Sequence, residues 1–249
     1  MDSSDENPDE SERRGGSRRL LFIGAIVAAA IVVIAVVVLV TREDDGRNSA
    51  VTTVTTTTPS TTSASPSTTE SLTIWPTPSS TVHYAHPVDA ARAFATDYVG
   101  FVNPVVGAFE QGDNRSGEVP VQAKTAGPVT TVLVRQLGSD GSWSVIGSST
   151  PNIQVTAPAV LATVTSPMTM AGNSTAFEAT VNVEVREDSN TTPLGKGFVM
   201  GGANGQMGPF TATLTFTTPV AATGAVVFTT ISPETGTVAE ATVLPVTFR

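Results

Sequence analysis

The chain has no cysteine, so it can form neither a disulfide nor a thiolate metal site. Extracellular eukaryotic sandwiches usually rely on disulfides, and their absence leans toward a bacterial envelope protein. Histidine is nearly absent as well. His83 and His86 are the only two, and they follow a Ser/Thr/Pro-rich stretch where a capping or exposed role is expected rather than catalysis. Charged residues make up 14% of the chain. From His83 onward the cations are Arg92, Arg115, Lys124, Arg135, Arg186, Lys196 and Arg249, scattered rather than striped, which excludes the counterion-displacing surface that nucleic-acid binding needs. The same shortage argues against docking by charge on anionic lipid or wall polymers. Of the acids behind the net charge of −9, six lie in the N-terminal tail and three more are Glu43, Asp44 and Asp45.

Motifs of catalysis are missing too. There is no G-x-S-x-G elbow, H-E-x-x-H pair or G-x-x-x-x-G-K-[ST] loop, and the glycines of GGANGQMG (201–208) lack the strand-then-helix context of a phosphate cradle. No catalytic residue, no cofactor and no metal site is therefore expected, and the chain reads as a non-enzyme. Glu110, Asp113 and Glu118, with Arg115 among them, place three carboxylates close in sequence. They could supply oxygen ligands to calcium, but their spacing does not fit an EF-hand loop. A solvated polar loop held by Asp113 and Arg115 is the expected alternative.

What is present falls into blocks. Residues 1–19 are polar and charged, a tail too short to fold. Residues 20–40, LLFIGAIVAAAIVVIAVVVLV, carry no charge and no proline. At about 1.5 Å per residue they span roughly 32 Å, the thickness of a hydrocarbon core. A cleaved signal peptide would have a shorter apolar region and a small-residue cleavage site; this run ends VLVTRE, which predicts an uncleaved transmembrane helix. Arg13, Arg14, Arg18 and Arg19 crowd its N-terminal side, so the tail is expected in the cytoplasm and the rest outside. Residues 41–82 form a Ser/Thr/Pro-rich linker that cannot bury enough apolar surface to offset chain entropy, and disorder is expected. Such tracts are often O-glycosylated. Asn114, Asn173 and Asn190 each open an N-x-Ser/Thr triplet, a pattern common by chance.

Residues 83–149 read as a small α+β module. HPVDAARAFATDYVG predicts one helix, with Pro87 in the first turn, Asp89 where the helix dipole favours an acid, and Gly100 as the stop. Val88, Ala91, Phe94 or Ala95, and Tyr98 form its apolar face. Strands are expected at 117–123, 130–137 and 142–147, the last two joined through GSDG, with Trp143 and Val145 sharing a face. The arrangement resembles a half-sized cystatin-like or nuclear-transport-factor-like fold.

Residues 150–249 carry the clearest alternation. Phe177, Ala179, Val181, Val183 and Val185 are set against Glu178, Thr180, Asn182, Glu184 and Arg186. Phe210, Ala212, Leu214 and Phe216 alternate with threonines. Such alternation predicts strands with one buried face. Further strands are expected at 153–156, 160–165, 197–201, 224–231 and 238–248, and about seven strands without a helix predict a two-sheet sandwich. Pro245 cannot donate to a ladder, which places the last strand at an edge or on a bulge.

The run IQVTAPAVLATVTSPMTMAGNSTAFEATVNVEV, followed by LGKGFVMGGANGQMGPFTATLTF, resembles the immunoglobulin-like domain of bacterial spore-germination proteins. The likeness rests on Ser166, Pro167, Gly172, Phe177 and Glu178, and on Gly208, Pro209 and Phe210 at a strand start, and it extends over about 153–249. It implies an immunoglobulin-like sandwich in a bacterial envelope setting and brings no catalytic site. The whole chain is thus expected to be mainly β: a transmembrane helix, a disordered linker, an α+β module and a terminal sandwich. Three functions stay open. One is a membrane-anchored envelope protein that binds another protein or takes part in envelope assembly, with a possible link to sporulation or germination. Another is a binding module for peptidoglycan or surface polysaccharide, which would want exposed aromatics; Trp75, Trp143, Tyr84 and Tyr98 are few. The third is a hydrolase built from scattered acids, which has no positive support.

Overall fold

The computed structural model describes residues 73–77, 79–137 and 140–249. The expected tail, the transmembrane helix at 20–40 and the linker up to residue 72 lie outside the described residues. Among the described residues, no helix is long and apolar enough to cross a membrane.

The fold is mainly β. Helix α1 (Pro87–Ala93) begins with proline in its first turn and carries Asp89 near its N-terminus and Arg92 in its last turn. It continues into a wider turn, Phe94–Val99, which Gly100 ends at φ +98°, a left-handed conformation that glycine adopts without steric cost. Ala90, Ala91, Phe94, Ala95, Tyr98 and Val99 are buried, so the expected apolar face is present and somewhat wider than its 3.6-residue spacing implied. Strands β1 (Val105–Val106), β2 (Glu110–Asp113), β3 (Ser116–Gln122), β4 (Thr130–Gln136) and β5 (Trp143–Ser149) follow as an antiparallel set.

The remaining strands are β6 (Ile153–Ala157), β7 (Thr163–Val164), β8 (Met168–Ala176), β9 (Thr180–Glu187), β10 (Pro193–Met200), β11 (Gly202–Ala203), β12 (Gly208–Leu214), β13 (Thr223–Ile231) and β14 (Val238–Phe248). One sheet runs β1-β3-β4-β5-β14-β13-β9-β10, and a smaller one is built from β6, β8, β11 and β12. The large sheet crosses from the first module into the sandwich through a single register position, Val243 opposite Ser148.

Two cores lie on opposite faces of this sheet. Alternation along β13 shows how. Ala225 and Val227 belong to the core that holds Phe94, Tyr98, Val119, Val134 and Val145, whereas Val226 and Phe228 belong to the core with Ile153, Met170, Val183 and Phe210. Successive side chains point to opposite faces, so a strand apolar at every position from Ala225 to Phe228 is buried on both sides.

Several expectations are corrected. The alternation read from Phe177 begins only at Thr180. Glu178 and Ala179 have φ of 58° and 61°, a left-handed turn that breaks the strand and leaves Phe177 58% exposed. Of the strand expected at 160–165, only Thr163–Val164 forms, because Leu161 sits at φ 60°. Strand β14 is interior, between β5 and β13. Pro245 is opposite Ala225 on β13, and its carbonyl accepts from the Leu161 amide on the other side. Backbone N and C=O of one residue face the same neighbour in an antiparallel strand. The missing donor of Pro245 thus falls in the gap where β5 ends and β7 begins, and costs no ladder bond.

The fold also reaches back into the span read as linker. Ile74 is fully buried, Trp75 pairs with Val145 on β5, and the Ser189 amide donates to the Ile74 carbonyl at 3.0 Å.

Candidate interaction surface

The residues singled out for chemistry do not converge. His83 Nδ1 lies 3.0 Å from Asp140 Oδ2, both half-exposed, and His86 is exposed at the start of α1. Asp140 is held below the usual carboxylate range by the backbone amide and hydroxyl of Ser142. Asp113 is likewise lowered, first by the Arg115 amide, which donates to its Oδ1 at 2.7 Å. Asp113 and Arg115 are therefore joined through backbone, and the polar segment is a β2–β3 hairpin rather than a loop. Glu110 stands directly opposite Glu118, and burial together with that neighbour pushes the Glu118 carboxyl up. Among the described residues no three Asp, Glu or His side chains gather as a cation would require.

The tryptophans and tyrosines are structural. Tyr98 and Trp143 are buried, and Trp75 and Tyr84 pack against the same core. Phe94 stacks on Tyr98 at 5.4 Å and Phe109 meets Trp143 edge-on at 5.2 Å. Burial raises the Tyr98 hydroxyl far above its ordinary value. No aromatic platform for a sugar ring remains among them.

Two polar nodes that the sequence did not signal hold the halves of the fold together. Glu240 on β14 is buried and accepts from Thr150 Oγ1 at 2.5 Å, Asn152 Nδ2 at 3.0 Å and Thr230 Oγ1 at 3.2 Å. Thr242 adds a bond to the Ile153 carbonyl at 3.0 Å. Arg186 on β9 donates to Glu184 and to the Tyr98 carbonyl. Burial works against the Glu184 charge, but Lys196 and Arg186 outweigh it and hold the carboxyl below its ordinary value.

Exposed large apolar residues are scattered, from Val82, Val102, Val105 and Val129 to Val160, Val220 and Ile231, but two of them share one outermost strand. Phe198 is 60% and Met200 58% exposed on β10. Phe177 leads into the turn before β9, whose Ala179 carbonyl takes the Gly201 amide at the end of β10. Exposed large apolar side chains on an outermost strand mark an interaction surface more readily than isolated ones elsewhere. Only the alternation of Lys196, Phe198 and Met200 against Gly197 and Val199 hinted at this face in the sequence.

An immunoglobulin-like sandwich with a helix-bearing sheet extension is the class of protein these elements define. Residues 152–237 match the model of the immunoglobulin-like domain of bacterial spore germination. The match spans β6 to β13 and stops before β14. The residues on which the sequence resemblance rests have visible roles in part. Ser166 Oγ accepts the Phe216 amide at 2.9 Å. A Cβ on Gly172 would collide with the Gln154 carbonyl and the Phe210 ring, so glycine there lets β8 lie between β6 and β12. Phe177 and Glu178 fill no core position. No curated protein and no solved structure matches the chain significantly.

Proposed function

We propose that the chain is a non-catalytic, single-pass protein of a bacterial cell membrane, its N-terminus cytoplasmic and its β domain outside. In this role it presents a germination-type immunoglobulin-like domain for protein interaction or envelope assembly. The observation that carries the reading is the match over 152–237 on a sandwich whose outermost strand β10 exposes Phe198 and Met200. Glu184 serves in ion pairs and Glu240 as a structural hydrogen-bond node. The uncharged run at 20–40 supports the anchor and the arginines before it support the orientation. Glycan binding is disfavoured because all four tryptophans and tyrosines pack against the inner core.

The test joins topology and partner. Protease added to intact cells should remove the β domain and leave the N-terminal tail protected. Crosslinking in the same cells should trap an envelope protein at the β9–β10 end, and in a spore former deletion should alter germination. A C-terminal half cleaved only after lysis would invert the topology and end the proposal.

A further inference from the structure

Strand β10 ends the large sheet and pairs only with β9. The Gly201 amide donates to Ala179 on the β9 side. Backbone groups of alternate residues face the same neighbour, so Val199 and Gly197 also face β9, while the N–H and C=O of Lys196, Phe198 and Met200 face the open edge. Thr217 caps this edge at the Leu194 carbonyl, and among the described residues no other backbone bond reaches the open side of the three residues beyond it. An open edge with apolar side chains is a template for another strand.

We propose that the partner of this edge is β10 of a second copy of the chain, paired antiparallel about a two-fold axis at Phe198; the inference rests on the interaction reading above and names its partner. The strand is self-complementary in that register. Phe198 faces Phe198 of the other copy, and Lys196 faces Met200, each pair exchanging backbone hydrogen bonds. Charge agrees with the pairing. Lys196 is the only charged residue of β10, it pairs with Glu184 at 2.9 Å, and the two-fold sets it across from a methionine rather than from its own copy. The two-fold gives both copies the same register and the same set of contacts. Seventy-two residues precede the described fold, chain enough for two copies on one surface to turn their edges toward each other.

The absence of native cysteine allows a direct test on the purified full chain in detergent and in whole cells. Directly opposed residues of a hydrogen-bonded pair lie about 5.5 Å apart at Cα, within reach of a disulfide. Phe198→Cys alone should therefore form a disulfide dimer on mild oxidation. Met200→Cys alone should not, but it should crosslink to Lys196→Cys when the two variants are mixed. Met200→Glu, placed opposite Lys196, should tighten dimerisation about fivefold and Met200→Lys should weaken it about as much. Phe198→Pro removes a donor that the single copy does not use, and should abolish the dimer while leaving the thermal unfolding transition in place. A monomeric Phe198→Cys chain would overturn the homotypic pairing. So would equal crosslinking by Met200→Cys alone, or crosslinking of Phe198→Cys only to a different envelope protein. This last result would leave the interaction reading standing, and the detergent measurement does not depend on membrane topology.

Discussion

Arg186 reaches Tyr98 twice: it donates to the tyrosine's carbonyl oxygen, and its guanidinium carbon sits 5.3 Å from the centroid of the same residue's ring. The strand that begins the sandwich edge thereby grips the last turn of the helical segment across 88 residues of sequence. A planar fork is needed to hold Glu184 and the Tyr98 carbonyl at once.

Arg186→Ala should destabilise the fold by about 2–4 kcal/mol, because it leaves Glu184 and a buried carbonyl short of partners. Arg186→Lys keeps the charge but loses the fork, and should recover only part of that loss. Urea denaturation, read as a shift of the midpoint at unchanged slope, measures both. If the lysine variant matched the wild type, the geometric part of this account would fail.

Glu240 is a buried carboxylate whose partners among the described groups are two hydroxyls and an amide. Glu240→Ala would strand Thr150, Asn152 and Thr230 without their acceptor and should cost about 2–3 kcal/mol. Glu240→Gln retains one acceptor oxygen and should cost about 1 kcal/mol. Since β5 joins β14 by one register position, amide hydrogen exchange in the alanine variant should rise first around Thr150 and Ser148. Uniform loosening would argue that this node does not pin the two halves.

Gly172 allows β6, β8 and Phe210 to approach, and a methyl there has nowhere to go. Gly172→Ala should lower stability by about 1–3 kcal/mol through overpacking, with the loss visible in thermal unfolding. Trimming the ring in Gly172→Ala/Phe210→Leu should return part of it, since the double variant removes one of the two colliding groups.

Which parts of this were legible beforehand follows from how local each signal is. The helix announced itself through Pro87, Asp89 and Gly100, and the strands at 180–187 and 208–214 through period-two alternation that needs no knowledge of neighbours. The joined sheet was not legible. Ala225 to Phe228 is an unbroken apolar run, and such a run states that both faces are covered without stating by what. The turn at Glu178 was hidden because Phe177 and Ala179 happen to keep the alternation through a left-handed kink. Pro245 misled for a related reason: its position in an interior strand is tolerated because β5 and β7 leave a gap there, a fact of tertiary arrangement. The nodes at Glu240 and Arg186 join residues about ninety positions apart, and nothing in their local sequence marks them. The exposed edge at Phe198 and Met200 looked like any half-buried strand until its end position in the sheet was known.

Asp188, at the end of β9, gives the pH prediction. Burial raises its carboxyl from 3.8 to about 7, opposed by a hydrogen bond from Thr223 and helped by the nearby Glu187 charge. Below about pH 4 the folded and unfolded chains both hold the proton, and the residue contributes nothing to the pH dependence. Between about pH 4 and 7 the unfolded chain has released the proton that the folded chain still binds, so stability falls as pH rises. Above about 7 the carboxyl ionises in the fold as well and the loss is complete, at most about 4 kcal/mol and less where solvent reaches the group. Asp188→Asn removes the ionisation and should be more stable than the wild type at pH 8, with little difference at pH 4. Unfolding midpoints at the two pH values decide the matter. A wild-type chain whose stability rose from pH 5 to pH 8 relative to the asparagine variant would mean that Asp188 is ionised and paired in the fold, and the burial assigned to it would be wrong.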